Sequence, residues 1–181
     1  MFFSGIILFF GVHLIPLNTN LKGFLKTRLG EGTYLGLFSL ASLLGILLII
    51  LGYESNSNFL YSISGIFFQY SKFIMFISFS TLIAANFPTY IKTTTKHPMS
   101  LGIAIWSIFH LFTNSDTTSV ILFSSFLTYA VISVLIAELR NTEVKKSSPK
   151  IIFDALSIIL GGILTMLAYN FHGYLSGVNL S

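Results

Sequence analysis

Stretches of about twenty residues without a charged side chain dominate this chain. Tyr34–Tyr53 contains no Asp, Glu, Lys or Arg, and neither does Thr118–Ala137. That length is what an α-helix needs to cross the roughly 30 Å hydrocarbon layer. In lipid, backbone N–H and C=O groups must be satisfied internally, so an apolar run of this kind is helical. Four further apolar runs are shorter or carry one charge: Phe2–Leu17, Lys72–Phe87 with Lys72 at its edge, Pro98–Thr113, and Ile151–His172 with Asp154. The spacing predicts an all-α, polytopic membrane bundle of about six transmembrane helices. Phe59–Tyr70, aromatic but broken by Ser and Gly, reads as an interfacial segment. Only 9% of residues are charged, against about 25% in soluble domains.

The cations test this count. Lys22, Lys26, Arg28, Lys92, Lys96, Arg140, Lys145, Lys146 and Lys150 all fall in the first, third and fifth loops. Lys72 alone lies at the other side, where it can snorkel. This alternation places three basic loops in the cytoplasm and both termini on the outer, periplasmic side of a bacterial inner membrane. The net charge of +4 therefore reports topology, and nucleic acid is not an expected partner. The start of the chain lacks the basic n-region and small-residue cleavage site of a signal peptide, so Phe2–Leu17 reads as a retained span. The loops are too short to fold separately, and 1–181 reads as a single transmembrane domain.

The chain has no Cys, which removes thiolate chemistry, disulfides and iron–sulfur sites. The acids are too few for a carboxylate-rich metal cage. Four His remain, all within or beside spans: His13, His97, His110 and His172. A polar group inside a membrane is costly and marks a site by default. His13 and His110 lie deepest. His97 and His172, at span edges, read equally well as interfacial aromatics. Gly161, Thr165, Ala168 and His172 share one face of the last span, a small-residue face that points into a bundle. Trp106 sits mid-span, one helical turn before His110, rather than at the interface where Trp concentrates. Asn114 and Asp116 suit a turn and a cap for the next helix, or the outer mouth of a site at His110.

Neutral imidazole is a common metal ligand, and bis-His haem suits this inventory best. Arg28, Lys92, Lys96 and Arg140 are candidate partners for its propionates, although topology and lipid headgroups account for them as well. Depth raises a difficulty. His13 and His110 lie about 6 Å to opposite sides of their spans' midpoints, so depth alone pairs His13 with His97, or His110 with His172.

Several segments together resemble the NnrU family of membrane proteins. They are GVHLIP (Gly11–Pro16), RLGEGTYLGLFSLASL (Arg28–Leu43), KHPMSLGIAIWSIFHLFTNSD (Lys96–Asp116), LFSSFLTYA (Leu122–Ala130) and HGYLSGVNL (His172–Leu180). The HP-x3-G-x3-W-x3-H core is the most specific piece. The family usually has Gly between the Asn and Asp after span four; Ser115 stands there, so the turn is expected to differ. The same domain is similar to the 15-cis-zeta-carotene isomerases of plants and cyanobacteria. That resemblance implies haem b with ligands at His13 and His110, matches the isomerases' other histidines to His97 and His172, and implies a lipid-soluble substrate; the mid-span position of Trp106 suits packing or stacking on such a ligand. The isomerase's additional span-five histidine is Tyr129 here, which weakens the case for isomerisation itself. The family name also implies a link to nitrite and nitric oxide metabolism.

Two other readings stand beside this one. The His-Pro pair with Glu138 and Arg140 resembles the element by which isoprenylcysteine methyltransferase-like proteins grip S-adenosylmethionine. The chain also fits a non-enzymatic assembly or transport subunit of a respiratory reductase, its histidines then being structural.

Overall fold

The computed structural model describes residues 1–54, 58–140, 148–176 and 180. Lys145 and Lys146 of the last basic loop, and 177–179 of the tail, lie outside the described residues. The fold is all helical, in the order α1 (Phe2–Leu14), α2 (Thr19–Leu29), α3 (Glu31–Gly52), α4 (Ser71–Ala84), α5 (Tyr90–Thr95), α6 (Pro98–Thr113), α7 (Thr117–Leu139) and α8 (Ile151–Ser176). Two compact units are formed, one of residues 1–54 and one of residues 55–181.

Among the described residues, four segments are long and apolar enough to cross a membrane: Glu31–Gly52, Gly65–Ala84, Thr117–Leu139 and Ile151–Tyr174. Counting Phe2–Leu17 with Thr19–Leu29 gives five. The protein is a multi-pass membrane protein by this measure. Pro98–Thr113 is apolar but has 16 residues, about 24 Å at 1.5 Å per residue. The six spans expected from sequence thus become four or five of full length and one short helix. Phe59–Tyr70 also differs from expectation. Its second half, Gly65–Tyr70, is a 3-10 helix that leads straight into α4.

In the first unit, α1 and α3 pack as a hairpin. Glycines set how closely they approach. A Cβ on Gly5 would lie 2.7 Å from the Ile49 nitrogen, and one on Gly45 would lie 2.9 Å from the Phe9 Cβ. Without a hydrophobic drive between helices in lipid, such backbone proximity supplies the packing energy. Pro16 sits in the 3-10 turn Ile15–Leu17 that ends α1. The chain then turns by 97° into α2, whose first turn is capped by Asn18 accepting from the Leu21 N–H at 3.0 Å. The loop expected at Asn18–Thr33 is therefore largely a basic helix.

In the second unit the helices form a row, with α4 between α8 and α6 and α7 beyond α6. Small residues again make the crossings. Ser78 Oγ donates to the Gly102 carbonyl at 2.8 Å, and a Cβ on Gly102 would meet Leu82 Cγ at 2.6 Å. Gly161 lies against the Ser80 backbone. Gly161 and Thr165 are buried, so the small-residue face of α8 does point inward. Asp154, near the start of α8, accepts from the Tyr90 and Ile91 N–H groups at 3.0 Å. It caps α5 from another helix, while Thr89 caps it locally through the Lys92 N–H. This ties the connection before α6 to α8.

Candidate functional site

Helix α6 places one histidine at each end, and the two ends are built differently. Pro98 occupies the first turn, where a missing N–H costs little. Lys96, just before, has φ 58°, a left-handed backbone that a residue with a Cβ adopts at a cost. His97 follows as the N-cap residue, and its Nε2 lies 2.8 Å from Glu138 Oε1. The pair joins the start of α6 to the end of α7. The Glu138 side chain is 54% exposed.

At the other end, His110 is partly buried and surrounded by rings. Its Nδ1 is 2.8 Å from the Trp106 carbonyl oxygen. A carbonyl only accepts, so Nδ1 carries the hydrogen and donates it. Nε2 is then the nitrogen with the lone pair. The Phe123 ring centroid lies 4.4 Å from that of His110, and Trp106 lies at 4.9 Å. Trp106 packs edge-on against Phe123 and Phe126. From α8, the His172 ring lies 6.5 Å from His110 with the planes 17° apart. His110 and His172 are thus brought together, as depth suggested, and Trp106 lines the same place.

The turn after α6 is held in detail. Asp116, 4% exposed, accepts from both the backbone N–H and the hydroxyl of Ser119. It is a buried cap for α7, which is the simpler of the two sequence readings. Asn114 Nδ2 donates to the His110 carbonyl at 3.0 Å. Ser115 needs no left-handed φ, so the missing Gly is tolerated. Its carbonyl accepts from the Leu60 N–H, and the Thr117 N–H donates to Asn58. Tyr61 donates its hydroxyl toward the carbonyls of Leu111 and Asn114. Burial pushes this phenol above its ordinary pKa, and the Asp116 carboxylate pushes it the same way. This strap was not expected; its only sequence signal was the aromatic character of Phe59–Tyr70.

His13 lies in the first unit and is described there. Its Nδ1 is 2.7 Å from the Phe9 carbonyl, so it has the same tautomer as His110. Phe9 and Phe38 flank it, with centroids at 4.1 and 5.2 Å. Tyr34, one turn before Phe38 on α3, continues this row of rings. Of the expected anion partners, Lys92 Nζ is engaged by the Ala85 carbonyl at 2.9 Å, and the Arg28 guanidinium lies over the Phe24 ring.

The HP-x3-G-x3-W-x3-H core therefore folds into one helix with its glycine at a crossing and its terminal histidine among rings. The family model described as NnrU protein matches residues 1–180. The chain belongs to the NnrU family. No curated protein and no solved structure matches it. In this NnrU chain no group of three or more His, Asp or Glu is placed to hold a metal ion among the described residues. What the second unit offers instead is a pair of imidazoles, one of them, His110, set among aromatic rings.

Proposed function

We propose that this NnrU protein binds haem b in the membrane, with His110 as an axial ligand. The observation that carries the reading is the state of His110. Its ring is fixed by donation from Nδ1, leaves the lone pair on Nε2, and faces a second imidazole across 6.5 Å. A metal-ligating His usually donates its other ring hydrogen to a carbonyl or carboxylate. The donor set fits the group. The porphyrin supplies four nitrogens of its own, so the protein needs only one or two axial ligands. The surrounding Trp and Phe rings suit a flat apolar macrocycle.

Within its unit His172 is the natural second ligand. The family resemblance assigns His13, which carries the same tautomer. Bound haem would supply one-electron redox chemistry. The chain's own part is to orient the imidazoles, exclude water with rings, and admit a lipid-soluble substrate, a polyene, or nitric oxide from the bilayer. The basic loops support, under the positive-inside rule, a topology with both termini outside a bacterial inner membrane.

Detergent-solubilised protein from haem-replete cells tests this by a reduced-minus-oxidised spectrum. A Soret band lost in His110→Ala is the expected result, and loss in His172→Ala or in His13→Ala identifies the second ligand. A colourless preparation overturns the reading.

One observation favours a second reading. The His-Pro pair and Glu138, separated by 41 residues, meet at 2.8 Å. Those are two of the elements that a small S-adenosylmethionine-dependent methyltransferase would use. Saturable binding of S-adenosylmethionine, lost in His97→Ala, would decide for it.

A further inference from the structure

Three side-chain oxygens are buried without a hydrogen-bond partner among the described residues: Tyr34 Oη, Ser80 Oγ and Ser107 Oγ. Such groups are rare in native proteins, and each calls for a reason. The two serines have an easy one. A serine within a helix can turn its hydroxyl to the carbonyl four residues back, as Ser42, Ser125 and Ser157 do here. A phenol cannot do this, because its oxygen lies at the far end of a rigid ring, beyond the reach of its own helix.

Tyr34 is 5% exposed. It stands on the face of α3 that carries Phe38, whose ring is 5.2 Å from that of His13. The row Phe9, His13, Phe38 and Tyr34 thus ends in a donor that none of the described residues uses. The neighbouring chain is basic. The N–H of Tyr34 bonds to Gly30, directly after the helix that carries Lys22, Lys26 and Arg28. Lys26 on that helix is paired with Glu31, which leaves the segment net basic, and a donor beside a basic segment matches an anionic oxygen.

We infer that the Tyr34 hydroxyl is a ligand-binding group beside His13 in the first unit, and that it takes a carboxylate of the bound molecule. This rests on the haem reading above with His13 as an axial ligand, in which that carboxylate is a propionate. It adds a residue that no histidine-based argument selects.

The test is reconstitution of haem-stripped, full-length protein with haem b and, separately, with its dimethyl ester, whose carboxylates are blocked. Wild type is expected to bind haem b more tightly than the ester. Tyr34→Phe is expected to weaken haem b by about ten-fold or more, the worth of a hydrogen bond to a charged group, and to leave the ester unchanged. The haem-free Tyr34→Phe protein should melt no lower than wild type, because an unused buried hydroxyl has been removed. Equal discrimination by wild type and Tyr34→Phe overturns the assignment, as does a clear fall in the haem-free melting point. Failure of wild type to bind either porphyrin overturns the haem reading and this assignment with it.

Discussion

The two ends of α6 carry the same residue type in opposite settings. At one end His97 follows a strained Lys96 and meets an exposed glutamate. At the other, His110 donates to its own helix, packs against Phe123 and Trp106, and faces His172. Water screens the first histidine and offers its partner an alternative. Around the second, the described residues place rings, a carbonyl and another imidazole. The same side chain is thus a replaceable surface contact in one place and a candidate ligand in the other. What separates them is 13 residues along one helix.

The sharpest way to break this contrast is to remove each ring. His110→Ala should abolish the haem spectrum, while His97→Ala should retain at least most of it, measured as haem per purified protein. Equal loss in both would mean that the histidines act through folding, and the contrast would fall.

A change between the two ends asks whether they are mechanically joined. Gly102 lies where α6 crosses α4, and a larger side chain there would drive into Leu82. Gly102→Leu should destabilise by about 1–3 kcal/mol, the usual cost of overpacking a tight contact. Thermal unfolding in detergent reads this. If the two ends are coupled through the crossing, haem retention should fall as well. A variant that melts lower but keeps its haem would show that the His110 end is held by its turn alone.

The turn offers the next effect. Tyr61→Phe removes the hydroxyl that Leu111 and Asn114 accept, at a cost of about 0.5–1.5 kcal/mol. The pH dependence gives the sign. Burial and Asp116 raise the phenol above its ordinary value of 10.0, so the folded state holds this proton more tightly than the unfolded one. The contribution is whole below about pH 10 and is lost as pH rises through the raised value. Wild type and Tyr61→Phe should therefore converge in stability above pH 10. A gap that stays constant would remove the hydroxyl as its source.

Much of this architecture was legible in the sequence because it depends on local pattern. Apolar runs gave α3, α7 and α8 to within a few residues. Pro98 marked the start of α6, and Asp116 declared itself as a cap. The 97° turn into α2 was missed even though Asn18 is a capping residue, since a short basic segment between spans reads as a loop. Other features depend on residues that meet only after folding. Asp154 caps a helix more than sixty residues away. Tyr61 reaches a turn fifty residues on, and Tyr34 becomes notable only once its hydroxyl is seen to be buried alone. None of these has a spacing that periodicity could reveal. Of the four histidines, the sequence selected the deep pair by cost and by resemblance. Depth paired His110 with His172 as one of two alternatives, and the structure brings those two rings to 6.5 Å.

The smallest expected effect lies at the other end of α6 and is informative for that reason. Glu138→Gln removes the charge beside His97 while a hydrogen bond remains possible, and Glu138 is exposed, where ion pairs contribute little. The melting point should not move measurably, and raising the salt should change wild type and variant alike. Haem content should also be unaffected. If the variant instead loses its haem, the His97 end belongs to the same site as His110. If it keeps its haem and loses S-adenosylmethionine binding, the two ends of α6 serve two separate ligands. Only an outcome in which nothing changes leaves His97 and Glu138 as a surface contact. In that case the strain at Lys96 would have to be explained by the docking of α6 and not by a ligand.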